Sequence, residues 1–207
     1  MPRLVRLLEL VALFVAAPLA IRLGLVPLPK LLVLLLATGG CLFSLRRDRG
    51  FDRRCLLDTG ALRRALGSIL LRAAVGALLI AGLVGARRGM LFELPRTRPL
   101  LYALVLVLYP VVSALPQELL YRVFFFRRYS QLLGDRWTVA GSALGFALLH
   151  IIYADPLAPL LTLPAGLVLA VAYRRNRSLP AVALEHALYG IAVFSLGLGR
   201  TFFVPAA

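Results

Sequence analysis

The chain has 207 residues, 61% of them hydrophobic, a mean hydropathy of +0.89 and a formal net charge of +15. A soluble domain is roughly 45–50% apolar, so the composition excludes an ordinary soluble fold and points to a polytopic membrane domain. The charge would suggest nucleic acid in a soluble protein. Here the arginines sit at the ends of apolar runs with no aromatic–basic groove pattern, which argues against a nucleic-acid partner and for a lipid one.

A membrane span needs about 20 predominantly apolar residues. About seven runs approach that length, at 7–27, 31–45, 68–85, 100–120, 137–153, 157–173 and 179–198. They predict an all-α, polytopic membrane helical bundle of about seven transmembrane helices. The connections are too short to hold a separate soluble unit, so residues 1–207 read as a single membrane domain. The first run, "MPRLVRLLELVALFVAAPLA", has a basic start and small residues near position 17. It continues to Pro27 and is interrupted by Glu9, so it reads as an uncleaved first span rather than a signal peptide.

After the second run comes the longest polar stretch, 46–67, "RRDRGFDRRCLLDTGALRRALG". Its second half predicts a short interfacial helix capped by Asp58 or Thr59. Cys41 and Cys55 form no CxxC or zinc spacing and read as two free thiols. The next polar connection, "GARRGMLFELPRTRP", contains Pro95 and Pro99, which disfavour a continuous helix there. Basic residues are dense on alternate connections (Arg3 and Arg6; Arg46 to Arg64; Arg127, Arg128 and Arg136; Arg174, Arg175 and Arg177) and sparser on the others. That asymmetry predicts a cytoplasmic N-terminus and an external C-terminus.

The fourth run ends in "PQELLYRVFFFRRY". Gln117, Glu118 and Arg122 lie where polar groups are costly and usually face a bundle interior or a wet cavity. Glu118 and Arg122 are at i and i+4, on one helix face, so the guanidinium can neutralise and aim the carboxylate. Pro116, just before them, is expected to bend the helix. "GSALG" at 141–145 is a small-residue packing face. The chain's two histidines follow, His150 at the end of "FALLH" and His186 in "LEHALYG". His186 shares a face with Tyr189 and Gly190. Glu185 lies about 100° away on the helix and is expected at the rim or against an arginine. Glu9, Arg22 and Arg72 lie nearer span ends, where they can snorkel.

The residues alone leave several chemistries open. They suit a carboxylate and an imidazole that together activate water. They also suit a set of interhelical hydrogen bonds, or a proton-coupled transporter, although no repeated half is visible. A His₂Glu zinc site would take Glu118, His150 and His186 as ligands, converging from three helices.

"PQELLYR", "FALLH" and "EHALYG" resemble, in order, the EExxxR, FxxxH and HxxxN (or Asp) motifs of the CPBP group, the CAAX prenyl endopeptidases and bacteriocin-processing proteins. The resemblance covers roughly residues 100–200, the expected catalytic core. It implies a helical membrane bundle with an interior catalytic cavity and a glutamate-type intramembrane protease, working without a cofactor, on a membrane-anchored protein or peptide. Carried over, Glu118 and His150 would activate water, His186 would help stabilise the oxyanion, and Arg122 would hold the carboxylate ionised. Two positions depart from the pattern. The first glutamate is Gln117, and the asparagine is Gly190, for which Gln117 is the candidate replacement donor. The Gln-Glu form resembles a bacterial branch of myxosortase-like, CTERM-processing enzymes, which implies the bacterial inner membrane and exported substrates with C-terminal sorting signals. The departures also fit a catalytically inactive scaffold or a bacteriocin-immunity protein.

Overall fold

The computed structural model describes residues 3–85 and 91–202. Among them the chain is all-helical, with eight continuous helices: α1 Arg3–Arg22, α2 Lys30–Arg47, α3 Thr59–Gly85, α4 Glu93–Thr97, α5 Pro99–Leu133, α6 Asp135–Leu149, α7 Leu157–Asn176 and α8 Leu179–Leu196. Single 3₁₀ turns follow at Arg53–Leu56, His150–Tyr153 and Gly199–Phe202.

Five of the helices, α1, α3, α5, α7 and α8, are long and apolar enough to cross a membrane, which makes this a multi-pass membrane protein. The seven expected runs all fall on helices, but two do not reach that standard. Helix α2 has 18 residues, with Lys30, Arg46 and Arg47 at its ends. Helix α6 has 15 residues, about 22 Å at 1.5 Å per residue, against a hydrocarbon core of about 30 Å.

Other expectations are corrected in detail. The interfacial helix is not separate, because Thr59–Gly85 is one helix of 27 residues. Its start is capped by Asp58, whose Oδ1 accepts from Ala61 N–H at 2.8 Å. In the connection after α3, residues 86–90 lie outside the described residues; Pro95 falls within the five-residue α4, and α5 starts at Pro99 after the break at Arg98. Around Pro116, expected to bend its helix, α5 runs through two π-helical stretches, Pro110–Ala114 and Leu119–Phe124, on either side of Leu115–Glu118. Pro110 has no N–H to donate, so a widened turn there relieves the ladder, and such turns are frequent at functional sites.

Helix α5 is the axis of the bundle and packs against α1, α2, α6 and α8. Residues 119–126 are buried throughout. Phe14, Tyr121, Phe125 and Tyr129 form an edge-to-face cluster there. One of the small residues of 141–145 allows this closeness: a Cβ on Gly141 would come 3.1 Å from the Phe125 ring. Around this axis, α6 pairs with α7 and α8 pairs with α3, whereas α3 and α7 barely touch.

Ion pairs bind the arginine-rich end together. Arg127 holds Asp48 at 2.7 and 2.9 Å, and Arg174 reaches Asp135 at 3.0 Å. Glu9 does not snorkel. Arg128 grips it at 2.8 and 2.6 Å, and Tyr129 O–H donates to it at 3.0 Å. Ser178 closes the same end by capping Ala181 N–H and donating to Asp58 O at 2.9 Å. Both cysteines are free, Cys41 buried on α2 and Cys55 half-buried in the first 3₁₀ turn.

Candidate active site

A cavity of about 480 Å³ lies among α3, α5, α6, α7 and α8. Its lining is mostly apolar, and its polar members include Gln117, His150, His186, Tyr109 and Ser113. It sits away from the arginine-rich end, at the level where the α6 helix gives way to the 150–153 turn. Leu71, Val75 and Leu79 of α3 and Val168 of α7 line it while remaining exposed on the outside of the bundle. The gap between α3 and α7 is therefore a lateral, apolar opening.

His150 is 5% exposed. Its Nδ1 lies 2.7 Å from Phe146 O, one turn back. A carbonyl only accepts, so Nδ1 carries the proton and Nε2 keeps a bare lone pair. No described residue bonds that Nε2. The Phe146 ring, 4.6 Å from the imidazole, fixes its plane. A Cβ on Gly166 would come 3.0 Å from Phe146, so this small residue of α7 lets the ring in.

His186 is held from both sides. Its Nδ1 is 2.8 Å from Glu118 Oε1, and its Nε2 is 3.0 Å from the Tyr109 hydroxyl. Glu118 is completely buried, and its Oε2 lies 3.2 Å from Arg122 Nε, also completely buried. Arg122 spends its other nitrogens on Ser142 Oγ at 3.1 Å and Gly166 O at 3.4 Å. Its guanidinium stacks 4.8 Å from the Phe146 ring centre. Ser142 in turn donates to Tyr121 O at 2.7 Å. The middle of the small-residue stretch thus anchors the arginine as well as sparing space.

All five expected site residues come together in this half of the bundle, but not as one wall. Gln117, His150 and His186 line the cavity. Glu118 and Arg122 do not: both are fully buried, Glu118 turned onto His186 and Arg122 onto Ser142 and Gly166. Glu118 reaches the cavity only through His186. Gln117 donates from Nε2 to Ser113 Oγ at 2.9 Å, while its buried Oε1 has no donor.

The zinc alternative meets a poor donor set. Glu118, which the three-ligand set requires, is turned onto His186 Nδ1 and does not line the cavity. Among the described residues no group of three His, Cys, Asp or Glu side chains is disposed to hold a metal ion.

Two groupings were not visible as partners in sequence. Arg72 holds the buried Glu185 through Nε at 2.6 Å and Nη2 at 2.8 Å. Tyr189 O–H donates to Glu185 Oε1 at 2.8 Å. Arg72 therefore does not snorkel and Tyr189 does not serve His186, although an arginine beside Glu185 was expected. The other is Tyr109, two turns before Gln117. An aromatic residue in an aliphatic run carries no signal of its own. The missing side chain at Gly190 is the trace that could have pointed to it.

Residues 99–192 match the family described as type II CAAX prenyl endopeptidase, Rce1-like. No curated protein and no solved structure matches the chain.

Proposed function

We propose, from the match of residues 99–192 to the Rce1-like family, that the chain is an intramembrane endopeptidase, with about 100–200 as catalytic core. Its substrate is a membrane-anchored protein or peptide whose bond is hydrolysed by water. The observation that carries this reading is a bare His150 Nε2 and a carboxylate-held His186 on one apolar cavity. In this reading His150 takes the proton from water and later gives it to the leaving amine, as general base and then general acid. Glu118 and Arg122 hold His186 in place, and Gln117 lines the site. The lateral gap between α3 and α7 suits a substrate that arrives within the bilayer.

With the N-terminus cytoplasmic, the cavity lies toward the external side. That suits exported substrates of a bacterial inner membrane, and the sorting-signal role of the myxosortase-like branch. The branch itself rests only on sequence resemblance, the "PQE…YR" form of the first motif together with "EHALYG…GLGR". Mass spectrometry of membrane-anchored proteins, with and without the chain, tests the function. Processed termini should vanish in the deletion and in His150→Ala, while the variant still accumulates. Gln117 and Gly190 favour a second reading, an inactive scaffold or immunity protein. That reading expects unchanged termini in both strains.

A further inference from the structure

Gly190 stands where a third-motif side chain would project, and the space is already full. A Cβ built there would overlap Cε1, Cζ and the hydroxyl oxygen of Tyr109. Real Cβ contacts are never that close, so a side chain at 190 and the tyrosine in its present place exclude one another. Tyr109 is wedged by Phe194, with ring centres 5.5 Å apart, and its hydroxyl is aimed at His186 Nε2, 3.0 Å away. With Nδ1–H donated to the Glu118 carboxylate, the neutral His186 ring has only a lone pair at Nε2. The phenol is then the donor in that bond. It follows that neutral His186 offers the cavity no N–H for a developing negative charge, and that the proton facing the cavity belongs to Tyr109.

We propose that Tyr109 is the oxyanion donor of this site, and that Gly190 is the vacancy that admits it. The proposal rests on the hydrolase reading and adds a residue to it. As water's oxygen bonds the substrate carbonyl carbon, His150 Nε2 takes one water proton and the C=O π pair moves onto oxygen. The Tyr109 O–H turns from His186 to that oxyanion, which as a charged acceptor binds it more strongly. No proton is transferred from the phenol. When the tetrahedral centre collapses, the C–N bond breaks and the nitrogen takes the proton from His150. The products are a carboxyl group and an amine, and Tyr109 returns to His186.

The test uses the purified full chain in liposomes, with an internally quenched peptide library carrying a C-terminal apolar anchor as probe. The best-cleaved member supplies kcat and KM. Tyr109→Phe keeps the ring and removes only the hydroxyl, so kcat should fall about 100-fold, as for loss of one oxyanion donor, with KM little changed. Gly190→Asn alone should be inactive, because the ring blocks its side chain. Tyr109→Ala with Gly190→Asn should recover at least tenfold over Tyr109→Ala, because the amide enters the vacated space. Tyr109→Phe with unaltered kcat, while His150→Ala is inactive, overturns the proposal and leaves the hydrolase reading intact. A fall confined to KM or to thermal stability overturns it too, since that is what a packing role predicts. No cleavage by the unaltered protein, in the library and in cells, overturns both.

Discussion

The Glu118 carboxylate lies 2.8 Å behind His186 and shows no surface to the cavity. A carboxylate in that position acts on the imidazole, not on water. It sets which nitrogen carries the proton and fixes the ring, while Arg122 balances its charge in a buried place. Removing one member of a buried ion pair leaves an uncompensated charge that costs roughly 3–5 kcal/mol, whereas removing both costs far less. Glu118→Gln and Arg122→Gln should therefore each lower thermal stability in detergent by that amount, with loss of processing. The double variant should recover most of the stability and none of the activity. Recovery of processing in the double variant would show that the pair serves only the fold.

The parts of this site that were legible in sequence are those that a membrane makes expensive. Glu118, Arg122, His150 and His186 stand out because ionisable groups are rare in apolar helices, and the i,i+4 spacing correctly joined Glu118 to Arg122. What sequence could not supply was direction. The widened turns of α5 depend on backbone geometry around Pro110 and Leu119, and they accompany Glu118 facing inward. Arg72 and Glu185 are 113 residues apart and meet only because α3 packs on α8. Helix α6 reads as a span when the 3₁₀ turn after it is counted as helix, and falls short when it is not.

Metal dependence follows from the same bonds. Ligation by Glu118, His150 and His186 would require breaking the Glu118–His186 bond and re-aiming both side chains. Processing by the purified protein should be unchanged after EDTA or phenanthroline treatment. Loss of activity that zinc restores would make these residues ligands and overturn the general-base account.

Arg72, half-buried Tyr189 and buried Glu185 make a second polar group at the edge of the cavity. With the carboxylate fully satisfied there, its role is to fasten α3 to α8. Glu185→Ala should lower thermal stability, but by less than the roughly 3–5 kcal/mol of a fully buried pair, because Arg72 is about a third exposed and can turn to solvent. The kcat of the protein that remains folded should stay within a few-fold of normal. A large fall in kcat at unchanged stability would move Glu185 into the reacting site.

Orientation can be read by labelling at the arginine-rich end. The native thiols are poor reporters, since Cys41 is buried and burial pushes the Cys55 thiol above its ordinary value. Arg49 is exposed in the loop after α2, so Arg49→Cys in a Cys41→Ser/Cys55→Ser background is the suitable site. A membrane-impermeant maleimide should label it only after cells are opened. Labelling of intact cells would reverse the topology and turn the cavity toward the cytoplasm.

Gln117 decides how much of the base belongs to His150. The amide lines the cavity, donates to Ser113, and holds a buried acceptor with no donor. An amide oxygen cannot take a proton from water near neutral pH, so under the proposed hydrolysis the base is His150. A carboxylate of the same length at 117 would keep the acceptor, lose the N–H to Ser113 and add a second base on the cavity wall. Serine can reverse the lost bond by donating instead. Gln117→Glu should therefore raise kcat several-fold, within the 10²–10⁴-fold that general bases contribute in full, and make His150→Ala less damaging in that background. Gln117→Leu, which neither donates nor accepts, should cut kcat about tenfold through the loss of one hydrogen bond worth about 1–1.5 kcal/mol. If Gln117→Glu is inactive while His150→Ala remains so, a second charge at the wall is harmful, and His150 alone activates the water.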